Sequence, residues 1–153
     1  MSIVKWVLAL AVGGFLLVFG ATKFTGGAHI FPYIEYKATA LGFPMADLFF
    51  PLVNWATGLL EIVAGVLVII PATRRLGALV AVAPFLGAVG FHLSPLLGVT
   101  TPDGYADPAP TEALAAGGPF LRDAFSEGMS PALFTIAAVM LGVSIVNLLV
   151  QRR

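Results

Sequence analysis

The chain predicts an all-α fold, a four-helix transmembrane bundle. Three observations predict it. Of its 153 residues, 59% are hydrophobic and 10% charged, and the mean hydropathy is +0.98. A water-facing surface needs far more charge than eight basic and eight acidic side chains supply. Four apolar runs are each long enough to cross ~30 Å of hydrocarbon, which takes about 20 helical residues. No alternating segments of the kind that close a membrane barrel occur, and helices otherwise satisfy their own backbone groups in lipid.

The first span covers about residues 4–21. Lys5 stands at its start, and Val18-Phe19-Gly20 loosely suits a cleavage site. The apolar run outlasts the ~7–15 residues of a secretory signal, so it reads as a true span. Lys23 and Phe24 follow it as an interface anchor. Residues 22–47 read as a long outer loop carrying His29, Glu35 and Lys37. Its aromatic residues Phe31, Tyr33, Tyr36 and Phe43 suit an interfacial belt, or less directly a lid over a pocket.

The second span covers about 48–70 and the third about 76–98. Pro71-Ala72-Thr73-Arg74-Arg75 joins them in a tight inner turn, which makes them antiparallel neighbours. Pro84 and Pro95 in the third span each remove a backbone hydrogen bond and can kink it. Gly77, Ala81, Pro84 and Ala88 make a small-residue stripe that can pack against the second span. Residues 99–130 form a second long outer loop, in which Thr111–Ala116 before Gly117-Gly118 suits a short helix with a glycine stop. The fourth span covers about 131–150.

Orientation follows from lysine and arginine placement. Lys5, Arg74, Arg75, Arg152 and Arg153 fall on one side, against Lys23, Lys37 and Arg122 on the other. Both termini are therefore expected in the cytoplasm, with loops 22–47 and 99–130 outside. Residues 1–153 read as a single membrane domain of a multi-pass protein, in a bacterial-type inner or plasma membrane.

The balanced charge leaves no field to attract nucleic acid. The absence of cysteine excludes disulfides, thiolate metal sites and thiol redox chemistry. There is no Walker loop, no strand-then-GxGxxG unit and no serine elbow.

Glu61, near the middle of span two, is the most informative residue. A bare acid at a helix centre costs about 2.5–3.5 kcal/mol on insertion scales, so it must face the bundle interior. Asn54, Gly58, Glu61 and Gly65 form one helical stripe, and the glycines let another helix or a flat ligand approach. Glu61 then either handles a proton or anchors a ligand, or it simply fixes packing through an interhelical hydrogen bond. His92 lies about four turns along span three, near the depth of Asn54, with Glu61 about 10 Å deeper. The two can share a wet pocket, though a direct bond is marginal at that offset. The plain alternative for His92 is a half-buried ring bonded to a backbone carbonyl. Lys23 reads most simply as snorkelling to the headgroups. More sharply, it holds a substrate oxygen or a carboxylate such as Glu61 or Glu35.

The candidate catalytic residues are thus Glu61 and His92, and the candidate ligand-binding residues are Lys23, Asn54, Gly58 and Gly65. No metal site is expected. His29, His92 and Glu61 would make a two-histidine, one-carboxylate set, but nothing in their spacing brings them together.

Gly20-Ala21-Thr22-Lys23-Phe24, Leu41-Gly42-Phe43-Pro44, Glu61-Ile62-Val63-Ala64-Gly65 and Arg75-Leu76-Gly77-Ala78 occur in an order that resembles the DoxX-like family of four-span membrane proteins. The resemblance covers about residues 10–95. It implies a four-helix bundle with both termini inside and a link to quinone-dependent redox complexes. Its family features map onto Gly20, Lys23, Gly42, Pro44, Glu61 and Gly65. The family's fold is also similar to that of the vitamin K epoxide reductases, whose cysteine pairs this chain lacks.

The leading expectation is an oxidoreductase-associated component that binds a quinone or other isoprenoid lipid between spans two and three, with Glu61 as the proton-handling group. Electrons would come from a redox partner protein or a bound cofactor. The alternatives are a non-catalytic assembly subunit of a larger membrane complex, or a small proton-coupled carrier. Four spans suit a carrier only in an oligomer.

Overall fold

The computed structural model describes residues 3–151, so Arg152 and Arg153 of the orientation argument lie outside the described residues. Four helices are long and apolar enough to cross a membrane, as a multi-pass integral membrane protein requires. Helix α1 spans Ile3–Thr22, α2 Ile30–Ala40, α3 Asn54–Ile69, α4 Arg74–His92, α5 Thr111–Ala116 and α6 Ala132–Gln151. The chain is not purely helical. A two-residue strand β1 (Thr101–Pro102) pairs antiparallel with β2 (Met129–Ser130) and ties the two ends of the long loop together.

Glycine sets the packing of α1 on α3. A Cβ on Gly20 would meet Gly58 O at 2.9 Å, and one on Gly65 would meet Gly13 O at 2.9 Å. The two contacts are seven residues apart on each helix, running in opposite directions, so the backbones touch over two turns. Gly58 and Gly65 therefore serve helix contact. Ala9, Val12 and Leu16 of α1 meet Ala64 and Val68 of α3, and Ala78, Ala81 and Phe85 of α4, in one core cluster. At one end of the bundle Gln151 Nε2 donates to Lys5 O (3.1 Å), and Arg75 Nε donates to Gln151 O (3.0 Å). The start of α1, the end of α6 and the α3–α4 turn thus lie together, and the long connections lie at the other end.

Three sequence expectations are corrected. The second apolar segment begins at Ala46, and it is bent. Phe50 has extended backbone angles (φ −137°, ψ 133°) within a wide turn over Phe49–Val53. Pro51 lacks the N–H that a regular helix would use there. The third span ends at His92 and not near Gly98. Pro95 disfavours helix at Ser94, and the Ser94 hydroxyl donates to Phe91 O (2.7 Å) at the helix end.

The third correction concerns the aromatic residues of 22–47. Residues 30–40 form α2, whose Phe31, Tyr33 and Ile34 are buried with Phe50, Leu97, Phe120 and Phe125 in a second core. They form an aromatic layer against residues 99–130, and only Phe43 stays half exposed. That layer buries enough ring surface to order a loop that hydropathy alone leaves shapeless. Within it, α5 stops at Gly117, whose φ of 83° suits glycine.

Candidate functional site

The last turn of α1 delivers Lys23 beside α3. Gly58 makes this possible, because any Cβ there would meet Lys23 Cβ at 3.0 Å and Phe24 Cε2 at 2.8 Å. Lys23 Nζ donates to Glu61 Oε2 at 2.7 Å, and the two side chains are only 10% and 11% exposed. Lys23 therefore does not snorkel. It turns inward, because an inward carboxylate offers it a charge-assisted bond where lipid offers none. Asn54 Nδ2 donates to Lys23 O at 2.9 Å and holds that backbone in place, while its own Oδ1 is buried with no hydrogen-bond partner among the described residues. The ammonium also lies 6.0 Å from the Phe31 ring centroid.

Lys23 and Glu61 stand on the wall of a cavity of about 460 Å³. All four long helices and the stretch from Gly27 to Ile34 line it, so its walls are broader than spans two and three alone. Its surface is chiefly aromatic and aliphatic. Phe15 and Phe19 stack at 4.1 Å, and Phe85 tilts against Phe15 at 5.7 Å. Pro84 and Ala88 of the small-residue stripe face this space, whereas Gly77 packs on the backbone of Leu67 and Val68.

His92 also lines the cavity. Its Nδ1–H donates to Gly98 O at 2.8 Å, which leaves Glu61 to Lys23. His29 lines it too, although nothing in the sequence indicated this, with Nε2–H donating to Pro102 O at 2.8 Å. Burial holds the His29 pKa below its ordinary value, against the opposing pull of the Pro102 bond and the Asp103 charge. His29, His92 and Glu61 thus share one space, but among the described residues no three acidic or imidazole groups are placed to hold a metal.

Of the sequence candidates, Lys23, Glu61 and His92 meet at the cavity, and Asn54, Gly58 and Gly65 lie at the α1–α3 contact behind it. Glu35 is a further buried acid, 4% exposed, with Oε2 lacking a hydrogen-bond partner among the described residues. Burial, reinforced by Asp47, pushes its pKa up to about 7. On α6, Ser144 and Asn147 are fully buried polar residues. They are visible in the sequence as polar breaks in an apolar run, yet their spacing alone points to no site.

No protein-family model, no curated protein and no solved structure matches this chain.

Proposed function

We propose that this chain is an oxidoreductase-associated membrane component, of the DoxX-like kind that its motifs resemble, whose cavity binds the ring of a quinone or related isoprenoid lipid. The observation that carries this reading is the Lys23–Glu61 ion pair on the wall of an otherwise apolar, aromatic-lined cavity. The cavity volume falls within the ~300–1,000 Å³ typical of small-molecule sites, and flat ring walls with one charged group suit a flat head with polar oxygens. Both termini lie in the cytoplasm of a bacterial-type inner or plasma membrane, and the cavity faces the outer side.

A bound quinone supplies a two-electron, two-proton couple, and a redox partner protein exchanges the electrons. Lys23 spends one N–H on Glu61 and keeps two for a ligand oxygen. That ammonium would stabilise negative charge on a ligand oxygen held there. Glu61 accepts or returns the proton through the ammonium it holds. The aromatic walls orient the ring and exclude water.

Thermal unfolding in lipid nanodiscs tests the proposal. A short-chain quinone raises the midpoint of the wild-type protein but leaves the Lys23→Met/Glu61→Leu double variant unmoved. Replacing both members of a buried pair with apolar residues is often neutral for folding, so the variant remains measurable. No shift in the wild type refutes the reading and leaves a packing role for the pair.

A further inference from the structure

The polar side chains of the cavity are unequal in what they offer a ligand. A backbone carbonyl only accepts, so the ring nitrogen facing it carries the hydrogen. His29 therefore holds its proton on Nε2, against Pro102 O, and His92 holds its proton on Nδ1, against Gly98 O. In the neutral ring the other nitrogen is a lone pair, Nδ1 in His29 and Nε2 in His92. Among the described residues neither meets a donor. The two threonine hydroxyls of the lining have likewise spent their hydrogens, Thr22 on Phe19 O at 2.7 Å and Thr57 on Val53 O at 2.7 Å. Glu61 accepts from Lys23. Among these side chains only Lys23 has hydrogens to give, while the five others offer lone pairs.

A ligand whose oxygens only accept can satisfy Lys23 but leaves both imidazoles unmatched. A ligand with a hydroxyl can satisfy both ends. We infer that the cavity selects a hydroxyl-bearing ring, of the hydroquinone or phenol class, over the same ring in its carbonyl form, with His29 and His92 as the residues that read the hydroxyl. This inference rests on the ring-binding reading above. His29 is suited to the role at neutral pH, since burial keeps its ring in the form that has a lone pair.

The test is titration calorimetry in nanodiscs under anaerobic conditions with three probes of one skeleton: trimethylhydroquinone, trimethylbenzoquinone and the dimethyl ether of the hydroquinone. One matched hydrogen bond predicts about tenfold tighter binding of the hydroquinone than of either other probe. Quinone or ether binding as tightly as the hydroquinone overturns the selection and leaves the ring-binding reading standing. If none of the three binds, both fall. Magnetic resonance of isotope-labelled histidine nitrogens needs no variant. It should find Nδ1 of His29 and Nε2 of His92 unprotonated, and both signals should move on adding hydroquinone. Opposite tautomers, or no movement on saturation, overturn the inference.

Discussion

Glu35→Gln should abolish a pH dependence in the docking of residues 99–130 onto α2. Glu35 is 4% exposed, and one of its carboxyl oxygens has no hydrogen-bond partner among the described residues. It lies against Gly118, where any Cβ would collide with Glu35 Oε1. Asp47 adds charge of the same sign. Lys37, two residues on, is turned about 200° away around α2 and does not face the carboxyl.

Burial first, and Asp47 second, raise the Glu35 pKa from 4.5 to about 7. Below pH ~4.5 the acid is protonated whether the loop is docked or free, and it contributes no difference. Between that pH and about 7 the undocked form ionises first, so docking weakens as pH rises. Above pH ~7 the loss is complete, at about 3 kcal/mol, or on the order of 100-fold in the opening equilibrium.

Hydrogen exchange reads that equilibrium. The amides of Gly118 and Ser126 are bonded within the loop, to Ala113 O (2.8 Å) and Gly104 O (3.1 Å). At each pH the wild type is compared with the variant, which cancels the intrinsic rate. The two should exchange alike near pH 4, and the wild type should open on the order of 100-fold more often at pH 8. Equal protection at pH 8 would refute the argument.

Three further outcomes follow from the packing. Lys23→Met alone strands Glu61 and should cost about 3–5 kcal/mol, and adding Glu61→Leu should recover most of it in a double-mutant cycle of thermal unfolding. Gly77→Ala drives a Cβ into the backbone of Leu67 and Val68, so the α3–α4 hairpin must shift. The midpoint should fall by the equivalent of about 1–3 kcal/mol or more, whereas Gly87→Ala, with open space around it, should be near neutral. Tyr105→Phe removes the hydroxyl that donates to Ala28 O at 3.0 Å, and should loosen the loop by about 0.5–1.5 kcal/mol in the same exchange experiment.

The parts of the fold that sequence made legible are those that lipid dictates. Apolar run length located all four helices that are long and apolar enough to cross a membrane, and the ends of α1 and α6 fall within a residue or two of the apolar runs. It failed where a local rule overrides hydropathy. Leu93–Gly98 is apolar, yet Ser94-Pro95 stops the helix, and Pro51 bends the second segment. Helix α2 was hidden because its stabilising partners, Phe120 and Phe125, are more than eighty residues away in the chain. A mixed run with Tyr, Glu and Lys looks like an interface belt until those partners are in place.

The acid in the middle of α3 was legible as an inward group, because the cost of exposing it to hydrocarbon leaves no other stable choice. Its counter-ion was less so. Lys23 at a span end is compatible with snorkelling, and only the glycine contacts that seat α1 on α3 turn it inward. His29 was not legible as a cavity residue at all, since its place depends on the bond to Pro102, 73 residues on.

The most direct measurement is the lipid content of the protein itself. The chain is purified from its own membrane in mild detergent, and the organic extract is quantified by chromatography with mass detection. A quinone or related isoprenoid ring compound should be recovered in near-stoichiometric amount from the wild type and be depleted from the Lys23→Met/Glu61→Leu variant. Equal, trace recovery from both proteins would contradict the account.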